Sequence, residues 1–87
     1  MITNIEFTEK AGQSYRKLPL HIKKKADRQL TQLIENPKHP SLRVKKKQGE
    51  SIFEARIDYH FRFTFVIVDT VLWILTVGPH DEGLGKK

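Results

Sequence analysis

The chain has 87 residues, 30% of them charged and none of them cysteine, with a formal net charge of +6 and a pI near 9.8. That length suits one domain over residues 1–87 with one modest core, and the missing thiols exclude a disulfide framework and a thiolate metal site and fit a reducing cytoplasm. The positive balance points to a polyanion or an acidic protein partner, and no apolar run approaches the roughly 20 residues of a membrane span or forms the core of a secretion signal.

Residues 1–7 carry Ile5 and Phe7 in alternation and predict a first strand. Thr8 is placed to N-cap a helix whose apolar side is Ala11, Tyr15 and Leu18, with Gly12 weakening it. Leu18-Pro19 stops that helix, because the residue before a proline avoids the helical region and proline suits the first turn of a new helix. The second helix is expected over 19–35, with Ile22, Ala26, Leu30 and Leu33 on one stripe and Lys23-Lys24-Lys25 on its solvated face. Residues 38–40 read as a loop. Residues 41–47 predict a strand with Leu42 and Val44 inward or offset, followed by a turn at Gln48-Gly49.

The stretch 52–82 is rich in β-branched and aromatic residues and breaks into runs at 52–57, 61–68 and 71–77. The breaks, Asp58-Tyr59-His60 and Asp69-Thr70, are short enough to permit only antiparallel neighbours, which predicts a meander. Alternation sets the register. A three-residue loop over 58–60 puts Ile57 opposite Phe61 and Arg56 opposite Arg62, whereas a two-residue loop mixes the apolar and polar faces. One face then holds Phe53, Ala55, Phe63 and Phe65, and the other holds Glu54, Arg56 and Arg62. A two-residue turn at Asp69-Thr70 places Arg62 opposite Val77, and Gly78-Pro79-His80 leaves the sheet just beyond it. Two arginines and a histidine thus meet at one end of the sheet. Farther along, Val66, Val68, Trp73 and Leu75 form an apolar patch that two helices on the aromatic face leave uncovered. The tail 83–87 is expected to fray. The layout is α+β: a strand, a two-helix hairpin packed on one face of a mainly antiparallel sheet, and a C-terminal meander.

This order, and several local words within it, resembles the RelE/ParE superfamily of bacterial toxins from toxin–antitoxin pairs over nearly the whole chain. The words are the helical hairpin with Leu18-Pro19, LRVKKKQG before the meander, FEARIDYHFRFTF and the ending VGPHDE. By motif position, Arg56 matches a basic residue of the strand before the turn, Arg62 the arginine after it, and His80 a site where members carry arginine or histidine. Glu54 stands where some members have lysine. Asp81, Glu82 and Leu84 occupy the end where some members place a tyrosine, so the histidine-using branch is the closer match.

The resemblance implies a toxin that cleaves mRNA on the ribosome, inhibits translation and is neutralised by a cognate antitoxin. Two other readings share the fold: a gyrase inhibitor without nuclease activity, and a non-toxic basic interaction module. Metal-independent RNA cleavage needs a base for the 2′-hydroxyl proton, cations for the phosphorane and an acid for the 5′-oxygen. His80 is the best acid or base, with Asp81 and Glu54 as further candidates. Glu54 reads equally as the partner that holds Arg56. Arg56 and Arg62 read either as a fork for the scissile phosphate or as a cross-strand charge set with Glu54 and Asp58. Arg43, Lys45, Lys46 and Lys47 are candidates for tracking an RNA backbone, and the lysines equally for protecting an edge strand. His60 is a turn residue first, and His21 and His39 read as solvated. No histidine–carboxylate pair has a convincing metal-ligand spacing, and no cofactor is implied.

Overall fold

The computed structural model describes residues 2–47 and 51–79. The expected turn at Gln48-Gly49, the tail, and His80, Asp81 and Glu82 lie outside the described residues. The elements are β1 (Asn4–Phe7), α1 (Glu9–Arg16), α2 (Leu20–Glu35), a 3-10 turn (Pro40–Leu42), β2 (Lys45–Lys46), β3 (Phe53–Arg56), β4 (Phe61–Val68) and β5 (Val71–Pro79).

The helix boundaries follow local chemistry. Thr8 is extended, and its hydroxyl oxygen accepts from the Ala11 amide at 3.1 Å, which satisfies one of the orphan donors at the start of α1. The same hydroxyl donates to the Leu75 carbonyl at 3.2 Å, tying the helix start to β5. Pro19 has no side-chain cap to offer α2, but its carbonyl accepts from the amides of Ile22 and Lys23. The buried stripe of α2 is Ile22, Ala26, Gln29 and Leu33, with Leu30 half-buried at its flank.

The five strands run in the order β1-β5-β4-β3-β2. β1 lies parallel to β5, and the other neighbours are antiparallel. The helices cover the aromatic face: Ala11, Ile22, Ala26 and Leu33 from them, and Phe63, Phe65, Leu72 and Ile74 from the sheet, are each 3% exposed or less. Burying a side chain of the Phe63 class contributes roughly 1.5–3 kcal/mol, so this two-layer core is the main stabilising element.

The β3–β4 register is the one alternation predicts. The Ile57 amide donates to the Phe61 carbonyl at 2.9 Å, and Arg56 stands opposite Arg62. The Asp69-Thr70 turn has two residues, with Asp69 in the left-handed region at φ 57°, as a tight hairpin requires.

Two expectations are corrected. Residues 41–43 are not strand: Pro40 starts a 3-10 turn, and Arg43 follows it at φ 46° and ψ 47°, so only Lys45–Lys46 pair with β3. Leu42 is nonetheless fully buried and Val44 packs against the core. The β4–β5 register also shifts. Thr64 pairs with Thr76 but Phe65 pairs with Ile74, so Leu75 is an extra residue, a β-bulge. The bulge turns Val77 into the core and Thr76 outward, and it puts Gly78, not Val77, opposite Arg62.

Candidate functional site

The sheet face away from the helices carries two rows of paired positions. One row is Lys45, Glu54, Thr64 and Thr76; the next is Arg56, Arg62 and Gly78. The first row is satisfied from within. Lys45 Nζ lies 3.7 Å from Glu54 Oε1, and the Thr64 and Thr76 hydroxyls are 2.6 Å apart. In the second row two guanidinium-bearing residues face each other, an arrangement of like charges that opposes pairing of the strands. Beside them the bulge places Gly78, which contributes no side chain to this row.

Backbone oxygens, not carboxylates, hold both arginines. Arg56 Nε donates to the Asp58 carbonyl at 3.3 Å. Arg62 Nη1 donates to the same carbonyl at 2.6 Å and to those of Phe61 and Tyr59 at 3.0 and 3.3 Å. Among the described residues the ion pairs are Lys25–Asp58 and Lys45–Glu54, so neither arginine has a carboxylate partner there. The charge set that would have paired them with Glu54 and Asp58 is therefore not formed. Glu54 is buried under Lys45, not Arg56.

Asp58 organises the turn instead. Its Oδ1 accepts from the amides of His60 and Phe61 at 2.9 and 3.0 Å, and Lys25 approaches Oδ2 at 3.6 Å. Burial pushes the Asp58 carboxyl up, but the two amides and the Lys25 ammonium outweigh it and hold its pKa below the ordinary carboxylate value. Tyr59 projects from the turn, 72% exposed. Its ring has Arg56 Cζ 5.9 Å from its centre and His60 edge-on at 4.9 Å.

The structure thus brings Arg56, Arg62, Glu54 and Lys45 to one face. Lys46 pairs with Phe53 and falls on the opposite parity, and Lys47 lies just past the strand. Arg43 lies elsewhere, in a cleft against α2. His80 and Asp81 lie outside the described residues. The residue that sequence reasoning missed is Gln29. It is 7% exposed; its Nε2 donates to the Arg56 carbonyl at 2.9 Å and to the Ser41 carbonyl at 3.2 Å. It pins the end of β3, and so Arg56, to α2. The signal was present: Ile22, Ala26, Gln29 and Leu33 are spaced four, three and four, and a polar residue on such a stripe must be buried with partners. No three His, Cys, Asp or Glu side chains among the described residues converge as metal ligands would.

A strand, a helical hairpin and a mixed sheet ending in a meander make up the RelE/ParE-like toxin fold, and the chain has that fold. No family model and no curated protein matches the sequence. Solved structures do match. The YoeB/ParE toxin from Agrobacterium tumefaciens superposes with a TM-score of 0.79 at 13% identity, over 90% of this chain and 99% of that one. A chain of the E. coli DinJ-YafQ toxin-antitoxin complex gives 0.78 at 18% identity, over 98% and 100%. A chain of the intact E. coli RelBE toxin-antitoxin complex gives 0.70 at 20% identity, over 85% and 92%.

Proposed function

We propose that this chain is the toxin of a toxin–antitoxin pair and a metal-independent endoribonuclease that cuts mRNA on the ribosome in the cytoplasm. The observation that carries this reading is the Arg56–Arg62 pair: two guanidiniums in register on the open face of a RelE/ParE-like fold, with no carboxylate partner among the described residues.

The chemistry follows from that pair. The 2′-oxygen attacks the adjacent phosphorus, its proton passes to a base, and the bond from phosphorus to the 5′-oxygen breaks as that oxygen takes a proton from an acid. Between these events the phosphorane carries extra negative charge, and two fixed guanidiniums stabilise it more than they stabilise the ground state. The carbonyl contacts hold the arginines before substrate arrives, and Gly78 leaves room for a phosphate above them. We assign the proton transfers to His80, because imidazole is the side chain whose ordinary titration range lies near neutrality, with Asp81 as a further candidate. Glu54, engaged by Lys45, serves as a base only if that pair opens.

The antitoxin is proposed to fold over the sheet face beyond the arginines. Val66, Trp73 and Leu75 are half-buried there, and Val68 is 52% exposed. Apolar side chains and carboxylates in one disordered segment would cover both that patch and the basic end.

Expression under tight control, with mRNA ends mapped by primer extension, tests the reading. Cuts at defined codon positions support it. Growth arrest with a DNA-damage response and intact mRNA would instead make the chain a gyrase inhibitor, and no growth effect would make it a non-toxic interaction module.

A further inference from the structure

A second basic surface lies around the sheet edge from the arginine pair. A cleft of about 630 Å³ opens between α2, the 39–43 segment and the end of β3. Lys25, Arg28, Arg43 and Arg56 line it, and none of its lining residues is acidic. Arg28 and Arg43 have no carboxylate partner among the described residues, and both are exposed. The cleft is built, not incidental. Gln29, buried in its wall, ties together Ser41 and Arg56, the two sides of the opening, through their carbonyls. Arg43 sits at φ 46°, a left-handed conformation that is unfavourable for any residue with a side chain. Held in that conformation, Arg43 lines the cleft together with Arg28 of α2. Arg56 belongs to both surfaces: it faces Arg62 across the hairpin and lines the cleft. Tyr59, largely exposed beside Arg56, offers an aromatic ring next to the residue that both surfaces share.

We propose that this cleft binds the phosphates of the RNA strand that flank the scissile one. The assignment rests on the RNA-cleaving reading of the arginine pair. Guanidiniums without partners suit phosphate oxygens, which accept fork-like hydrogen bonds. An exposed aromatic ring between two cationic surfaces is what a single strand uses, since a base stacks while its phosphates are held on either side. The strand would cross the sheet face over Arg56 and Arg62, stack a base on Tyr59 and run on into the cleft.

The test is fluorescence anisotropy with a labelled single-stranded RNA of about ten nucleotides, within the span that such grooves cover. Its 2′-positions are O-methylated, so the chain cannot cut it. Binding is measured for the full chain over a series of salt concentrations. Arg28→Gln with Arg43→Gln should weaken binding by about tenfold or more at low salt, and lower the slope of log affinity against log salt by about 1.4, or 0.7 for each phosphate no longer neutralised. Arg28→Lys with Arg43→Lys should restore the slope. Thermal melting confirms that the variants are folded. RNA affinity and slope unchanged in the glutamine pair would overturn the proposal. So would a loss of binding to polyglutamate with RNA binding intact, which would give the cleft to an acidic protein. The probe separates the two readings: a chain that cuts no RNA can still bind it through the cleft, and a chain whose cleft is idle can still cut.

Discussion

Arg56 and Arg62 face each other across the β3–β4 hairpin and donate to one and the same oxygen, the carbonyl of Asp58, at 3.3 and 2.6 Å. A shared neutral acceptor keeps two like charges side by side without neutralising either. That leaves both available to an anion, and it makes Arg62, with its three backbone acceptors, a structural residue as well.

The two arginines should therefore separate in stability while agreeing in activity. Either alanine variant should slow RNA cleavage by about 10²–10³-fold, the usual cost of removing one transition-state donor. Arg62→Ala should also lose about 1 kcal/mol of stability from its turn hydrogen bonds, or about 4–8 °C in a domain of this size. Arg56→Ala, with one long hydrogen bond, should melt close to wild type. Single-turnover cleavage and calorimetry check both. An Arg62→Ala variant that cuts normally would remove Arg62 from the site.

Asp58 predicts a pH dependence. Its pKa in the folded chain lies below the ordinary 3.8, so its contribution to stability is present above that value and is lost as pH falls through the lower, folded pKa. Asp58→Asn should melt lower than wild type at neutral pH. The two melting curves should converge as pH falls below the folded-state pKa of Asp58, where the carboxyl is protonated in both states. Parallel curves down to that pH would show that the charge does not hold the turn.

Much of this site was legible in the residues. Alternation in FEARIDYHFRFTF selects the three-residue loop, because the other register would carry Arg62 into an aromatic core. The bulge at Leu75 was not legible, because both parities of VLWILTV are largely apolar and either register buries well. Only Thr76, sent outward to meet Thr64, discriminates between them. The 41–47 segment misled for a related reason: Leu42 and Val44 do turn inward, but Leu42 from a 3-10 turn and Val44 from the link between that turn and β2, and two apolar positions are too few to establish a period. The backbone acceptors of Arg62 had no sequence signal, since alternation reports a side chain's face and not which carbonyls the neighbouring loop turns toward it.

Gly12 offers a stabilising change. It lies inside α1, where a Cβ would meet Arg16 Nη1 at 3.5 Å and Phe7 Cβ at 4.0 Å, both at ordinary van der Waals distance. Gly12→Ala should raise stability by about 0.5–1 kcal/mol through the smaller entropy of its unfolded chain and its better helix propensity. Urea denaturation with an unchanged slope and a higher midpoint is the expected result; a lower midpoint would mean that the helix start cannot accept the methyl group.

Trp73 tests the proposed antitoxin surface. It is half-buried on the face opposite the helices, in register with Val66 and Glu6. On titration with the product of the adjacent reading frame, its fluorescence should shift to the blue. Trp73→Ser should weaken that complex by more than about 1 kcal/mol, as loss of an aromatic anchor does. Binding without a spectral shift would place the antitoxin elsewhere.

The most direct measurement is the chemistry of the cut ends. On the proposed mechanism, attack by the 2′-oxygen, with Arg56 and Arg62 stabilising the phosphorane, should leave a 2′,3′-cyclic phosphate on the upstream fragment and a free 5′-hydroxyl on the downstream one. After incubation with programmed ribosomes, the downstream fragment should accept label from polynucleotide kinase without prior phosphatase treatment, and His80→Gln should slow its appearance by about 10²–10⁴-fold. A downstream fragment bearing a 5′-phosphate, or no fragment at all, would contradict the account.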